Sequence, residues 1–260
     1  MNNLSHPTAV TAAQAIITDL HITDPAHIEI EKIAAVRNAF VKEGFIRGST
    51  ARLVREGSVA FITIDEGIRE DGKKRFAIAH ELGHFELHNI KNQIAYCTDE
   101  MFLDWYKSLP EEPEANAFAA ELLMPVQIFK KYCKGSRPSF DEIRDLAEVF
   151  QTTLTATAIR YVDYALHPCV LVVSENKIVK WLHWKADFPY RIIKKGTKIG
   201  EYSCAYDFFT KGEVPPKPES VSGDTWLEDC RFGRNLVLYE HAVPLPFYNT
   251  VLSLIWVHEN

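Results

Sequence analysis

No lysine or arginine occurs before Lys32, and the apolar stretch Ala9 to Ile17 has no charged lead-in, so the N-terminal region does not read as a signal peptide. Membrane-length hydrophobic segments are missing too. The uncharged run His241 to Val257 is interrupted by Pro244 and Pro246 and is shorter than a membrane span. An excess of positive charge is also absent, since the formal net charge of −6 gives no general attraction to nucleic acid. Cysteines are few. The five are odd in number and scattered, without paired zinc-ribbon spacing, which argues against a disulfide framework and for a reducing compartment. Together these absences predict a cytoplasmic protein with no membrane partner. At 260 residues and 47% hydrophobic content, the chain can build one large or two modest domains, each with its own core.

The chemistry-bearing feature is His80-Glu81-Leu82-Gly83-His84. On a helix, residues four apart share a face at roughly 6 Å along the axis, so the two imidazoles can meet on one ion. Zinc accepts histidine nitrogens at about 2.0 to 2.1 Å, and a catalytic site keeps three protein ligands plus a water. Glu81 is turned only about 100° from His80, within reach of that water without being a ligand, which makes it the candidate general base. The flanks support a helix: there is no proline from Lys73 to His88, and Phe76, Ala79, Leu82 and Phe85 form an apolar stripe. Gly83 costs about 1 kcal/mol relative to alanine inside a helix, so it reads as a position where a side chain would collide with a neighbouring element. His88 does not qualify as the third ligand, because on a continuous helix it stands roughly 12 Å from the level of His80. A place at the helix end or beside a ligand suits it better.

About thirty residues later the run Glu112-Pro113-Glu114-Ala115-Asn116-Ala117-Phe118-Ala119 supplies a third ligand. Pro110 and Pro113 suit a helix start, and Ala115, Phe118, Ala119, Leu122 and Leu123 mark a buried face ending before Pro125. Glu112 lies at the edge of that face, alongside Asn116, while Glu121 points away from it. Glu112 is therefore the expected metal ligand, with Asn116 one turn on as a partner that orients a ligand, and Glu114 in reserve. The competing reading makes both glutamates ordinary first-turn acids that complement the helix dipole.

Arg75-Phe76-Ala77-Ile78-Ala79-His80-Glu81-Leu82-Gly83-His84, followed by Glu112 to Phe118 and Ala120-Glu121-Leu122-Leu123-Met124-Pro125, resembles the ImmA/IrrE family of metallo-endopeptidases over roughly the first 165 residues. The resemblance implies an α+β fold with a zincin-like helical peptidase domain and a small β-sheet, a Zn2+ ion held by His80, His84 and Glu112, and Glu81 as catalytic residue. It also implies a soluble bacterial or phage regulator that cleaves a helix-turn-helix repressor when DNA damage or infection is sensed. Cys97, thirteen residues after His84, lies in the link between the two ligand segments. A thiolate there would bind zinc well and could take the water's place, as in the cysteine switch of some zinc peptidases. Inert packing is the alternative, since cysteine is among the most often buried residues.

Residues 1–167 are expected to form the peptidase domain, and 168–260 a smaller α+β sensor or regulatory domain resembling the GAF or PAS type. Thr8 to Leu20 and Asp24 to Glu43 read as helices, the second from the spacing of Ile28, Ile33, Val36 and Phe40. Ala51 to Arg55 and Val59 to Asp65 read as a hairpin around Glu56-Gly57-Ser58, with Val59 to Ile64 the candidate edge strand for an extended substrate. Near residues 139–166 lies a helix-turn-helix-like pair whose second helix offers only Arg160 to a base or phosphate and whose first helix carries Asp141, Glu142, Asp145 and Glu148, so it reads as structural. Beyond Pro168, Val170 to Val173 and Lys177 to Leu182 read as a hairpin, Leu236 to Ala242 and Thr250 to His258 as strands, and Gly212 to Gly223 as an exposed loop. Lys194, Lys195 and Lys198 with Tyr202 and Tyr206 offer charge and stacking to single-stranded DNA as an activator, against the alternative of a solvated strand edge. Two rival functions share these features: a DNA-binding regulator, and a latent regulatory binding protein, in which the metal is structural.

Overall fold

The computed structural model describes residues 6–88, 94–97, 111–135, 137–185, 187–228, 236–245 and 248–257, with 94–97 described for the backbone alone. The fold is mixed α+β. Two compact units divide it: one holds Asn3–Tyr132 with Ala147–Ala156, the other Cys133–Leu146 with Thr157 onward.

The first unit opens with helix α1 (Pro7–Asp19), with a proline in its first turn, where a missing N–H costs nothing. A 3-10 turn at Pro25–His27, capped by the Asp24 side chain, leads to the short helix α2 (Ile30–Val36). Strand β1 (Ala39–Gly44) follows where the sequence predicts continued helix. The expected helix over Asp24 to Glu43 is thus corrected, and the cause is local and distant at once. Asn38 takes a left-handed φ of 61° and ends the helix. Ala39 to Gly44 then pair in parallel with strand β3 (Val59–Asp65), which burial of Ala39 and exposure of Phe40 make visible.

The expected hairpin is present. Strand β2 (Ala51–Glu56) pairs antiparallel with β3 around Gly57 at φ 61°, and strand β4 (Ile94–Cys97) lines up on the far side of β2. The sheet order is β1-β3-β2-β4. The expectation that Val59 to Ile64 is an edge strand is therefore wrong: β1 occupies the flank of β3 left open by β2.

One face of this sheet packs under helix α3 (Asp71–Leu87), whose run Phe76 to Phe85 is buried without a break. Beside it lies helix α4 (Glu111–Leu123), followed by the short helix α5 (Val126–Tyr132). Arg55 on β2 reaches the end of α3, donating from Nη1 to the carbonyls of Phe85 and His88 at 3.1 Å each, where a cation satisfies the last free carbonyls.

Helices α6 (Phe140–Phe150) and α7 (Leu154–Tyr164) form the predicted pair. Their turn, with Gln151 at φ 53°, packs on α3: a Cβ at Gly72 would come within 2.7 Å of the Thr152 carbonyl carbon. Arg160 is buried and lies 4.8 Å from the Tyr164 ring, which takes the second helix's candidate phosphate contact into the interior.

The second unit centres on an antiparallel sheet of strands β5 (Cys169–Glu175), β6 (Ile178–Trp184), β7 (Glu219–Ser222), β8 (Val237–Leu245) and β9 (Thr250–Val257), ordered β6-β5-β9-β8-β7. The β5–β6 turn places Asn176 and Lys177 at positive φ, as a tight hairpin matched to strand twist requires. The predicted exposed loop Gly212 to Gly223 is shorter than expected, because its last residues form β7.

Helix α8 (Cys204–Lys211) covers one face, and its N-terminus is tied down by a buried carboxylate. Glu240 accepts from the backbone N–H groups of Cys204 (2.9 Å) and Ala205 (3.0 Å), from Trp226 Nε1 (2.9 Å) and from Ser253 Oγ (2.9 Å). Burial raises its pKa, while these donors oppose the rise by favouring the anion. On the neighbouring position of β8, His241 Nδ1 accepts from the Phe140 N–H at 3.0 Å and so caps α6.

Burial lowers the pKa of His241, with Arg144 adding to the effect and Asp141 opposing it. A histidine kept neutral by the fold contributes stability above its unfolded pKa of about 6.5, and loses it as pH falls through that value toward the lower folded pKa. The denaturation midpoint should therefore fall between pH 7 and pH 5. It should fall less in His241→Asn, whose Oδ1 keeps the acceptor without titrating. Equal losses in the two proteins, measured by urea unfolding at both pH values, would count against this.

Candidate metal centre

Helix α3 presents His80 and His84 on one face, and α4 brings Glu112 opposite them. The Nε2 atoms of His80 and His84 are 3.0 Å apart. Glu112 Oε2 lies 3.1 Å from His80 Nε2, and Oε1 lies 3.4 Å from His84 Nε2. Four ligands placed tetrahedrally at about 2.0 to 2.1 Å from an ion are separated by roughly 3.3 Å, so this triangle has the size of one face of a metal coordination shell. All three residues are buried. Among the described residues, this is the group of three or more His, Cys, Asp or Glu side chains that could hold a metal ion.

The donor set is chemically fit for a cation. His80 Nδ1 lies 2.9 Å from Asn116 Oδ1, an acceptor, so Nδ1 carries the hydrogen and Nε2 turns a lone pair to the centre. Glu112 is ionised there. Burial alone would raise its pKa, but when no ion is bound and the imidazoles are protonated, hydrogen bonds and opposite charge from His80 and His84 together outweigh it and hold the carboxyl at about 2.

The helix spacing that permits this triangle is set at Gly83. A Cβ there would stand 3.1 Å from Phe118 Cδ1 and 3.2 Å from Ala115 Cα, so any side chain would push α4 away. The predicted close-packing role of Gly83 is what the structure contains.

The other sequence candidates separate clearly. Glu81 is fully buried, next to His80 on α3. Glu114 is away from the triangle, 3.1 Å from His88 Nε2. His88 stands at the C-cap of α3, with its Nδ1 3.1 Å from His84 Nδ1, so it is a neighbour of a ligand as the sequence suggests. Cys97 pairs through its backbone with Ala51 in β4, and its side chain lies outside the described residues. Glu121 faces away from the triangle but is buried, accepting from Gln14 Nε2 at 3.0 Å and from the Val126 N–H at 3.2 Å. That role escaped the sequence reading. A lone acid in Ala120-Glu121-Leu122-Leu123, just before the Pro125 break and the next helix start, is the signal that could have found it.

Residues 48–161 match the family described as IrrE N-terminal-like domain, Peptidase_M78. This segment is similar to the ImmA/IrrE peptidases. The IrrE-like segment contains both ligand helices, the β2–β3 hairpin and most of the helical pair. No curated protein matches the chain by sequence. Among solved structures, a Mycobacterium tuberculosis transcriptional regulator is similar in fold, with a TM-score of 0.60 over 97% of this chain and 77% of that one, at 13% identity. No described helix is long and apolar enough to cross a membrane.

Glu112→Ala should abolish stoichiometric metal binding, because two imidazoles alone leave the third corner empty. Glu114→Ala should still bind one ion per chain. Metal content after dialysis of the two variants against the same buffer checks this, and the reverse pattern would make Glu114 the ligand.

Proposed function

We propose that this chain is a zinc-dependent endopeptidase that acts in the cytoplasm on a helix-turn-helix transcriptional repressor, relieving repression of stress or defence genes on DNA damage or phage infection. The observation that carries the reading is the closed triangle of His80, His84 and Glu112 with Glu81 on the same helix, inside an IrrE-like segment. A bound zinc ion would supply Lewis acidity for a peptide carbonyl and for water. His80, His84 and Glu112 would hold it. Glu81 would take a proton from the attacking water and return it to the leaving amine. Its buried position next to His80 on the same helix supports that role.

The target is inferred from the family and from the regulatory description of the similar fold, which belongs to that other protein. A DNA-reading role for the α6–α7 pair has little support, because Arg160 on α7 is buried and Arg144 on α6 is paired with Asp141 at 2.9 Å. In functional terms we assign peptidase chemistry to residues 1–167 and regulation to 168–260. A single antiparallel sheet with α8 on one face supports a sensor of GAF or PAS type for the latter. Single-stranded DNA is the activator we would test first there. Tyr202 is strongly exposed, while Lys177 Nζ sits 4.7 Å from the Tyr206 ring centre and Lys194 pairs with Glu228 at 3.0 Å. Cys97 is the candidate thiolate lock on the open metal position.

Co-expression with a small helix-turn-helix protein encoded nearby tests the reading by gel. Glu81→Gln should keep the fold and the metal while cleavage drops by about 10²- to 10⁴-fold. Cleavage that survives this substitution would refute the mechanism. In the same assay Cys97→Ala should raise basal cleavage, and an unchanged basal rate sinks the lock; unchanged cleavage on adding single-stranded DNA sinks that activator.

A further inference from the structure

We propose that His88 and Glu114 form an outer relay that fixes His84 as a metal ligand, making His88 a positioning residue of the centre. The proposal rests on the reading of His80, His84 and Glu112 as ligands.

The two motif histidines are backed differently. Behind His80 stands a neutral amide, Asn116. Behind His84 stands another imidazole, with His84 Nδ1 3.1 Å from His88 Nδ1, and His88 Nε2 3.1 Å from Glu114 Oε2. The rings of His84 and His88 are 5.2 Å apart at their centres.

Counting hydrogens along this chain gives one solution. A metal ligand needs a bare nitrogen, so His84 Nε2 carries none and the hydrogen of the neutral ring is on Nδ1. His84 Nδ1–H then donates, and His88 Nδ1 must accept. With its lone pair used at Nδ1, neutral His88 carries its hydrogen on Nε2 and donates to Glu114. The carboxylate is acceptor only, so it anchors the tautomers of two imidazoles in series.

The chain bends to make this contact. His88 leaves the helix in an extended conformation, φ −112° and ψ 128°, while its N–H still bonds the His84 carbonyl at 3.1 Å. Arg55 holds the His88 carbonyl. An isolated ion pair at a half-exposed carboxylate contributes little, on the order of 0 to 1 kcal/mol. Placed behind a ligand, the same carboxylate orients the ring and raises its basicity toward a cation.

The test uses the full chain, stripped of metal and titrated with Zn2+ against a chromophoric chelator, with Co2+ absorption as a second readout. His88→Ala should weaken Zn2+ binding about 10- to 100-fold and shift the Co2+ visible bands. His88→Asn, whose Oδ1 falls where Nδ1 stood, should recover most of that loss. Glu114→Gln should weaken binding less than His88→Ala, because Oε1 still accepts. Wild-type affinity in His88→Ala, or His88→Asn as weak as His88→Ala, would overturn the relay and leave the three-ligand reading standing. A wild-type chain that takes up neither ion would overturn both. A merely structural His88 would lower the melting temperature of the metal-free protein and leave its affinity unchanged.

Discussion

The close approach of α3 and α4 at Gly83 is the constraint on which the site depends. The two helices can bring a carboxylate to within 3.4 Å of two imidazoles only because no side chain separates them where Gly83 meets Ala115. Metal–ligand distances tolerate a few tenths of an ångström, whereas a methyl group forced into that contact would shift a helix by more or strain the core at about 1 to 3 kcal/mol. The helical penalty of glycine, about 1 kcal/mol, is the smaller term. Other elements press the same pair from outside. Gln14 on α1 holds Glu121 on α4, the α6–α7 turn rests on Gly72, and Arg37 grips Glu86 through two bonds of 2.8 Å.

Carboxyl groups recur as structural anchors away from the triangle. Glu121 and Glu240 each sit at the N-terminus of a following or neighbouring helix, and Glu142 accepts from Tyr161 Oη at 2.7 Å and from the Lys134 and Gly135 N–H groups. Each carboxyl group meets backbone donors that have no helical partner of their own. Several donors converging on each of them offset the cost of taking a carboxyl group out of water. The chain's acidic balance therefore includes acids that shape its interior.

Local signals carried much of the site. His80, Glu81 and His84 share one unbroken helix, and the wheel placed Glu112 and Asn116 on one edge and Glu114 off it, because all of this depends on contacts within a turn or two. Non-local pairing was hidden. The spacing of Ile28, Ile33, Val36 and Phe40 suits a helix, and nothing in those residues announces that Ala39 to Gly44 will pair with Ala60 to Asp65. The edge assignment of β3 failed for the same reason, since an edge is defined by who fails to arrive. Glu240 lies in a strand with ordinary alternation, and its four donors come from three separate segments. The placement of Cys97 against the metal rests on a side chain outside the described residues.

The bond from Gln14 to Glu121 spans 107 positions of sequence. During synthesis, α1 therefore leaves the ribosome with its partner still unmade, and His80 and His84 emerge well before Glu112. Contacts of such long separation form late, because the loop they close must be ordered first. The nascent chain thus exposes a two-histidine helix before it has a three-ligand site, and α1 docks only after α4 exists. Domain-by-domain folding then makes the His80, His84 and Glu112 triangle a product of the finished unit.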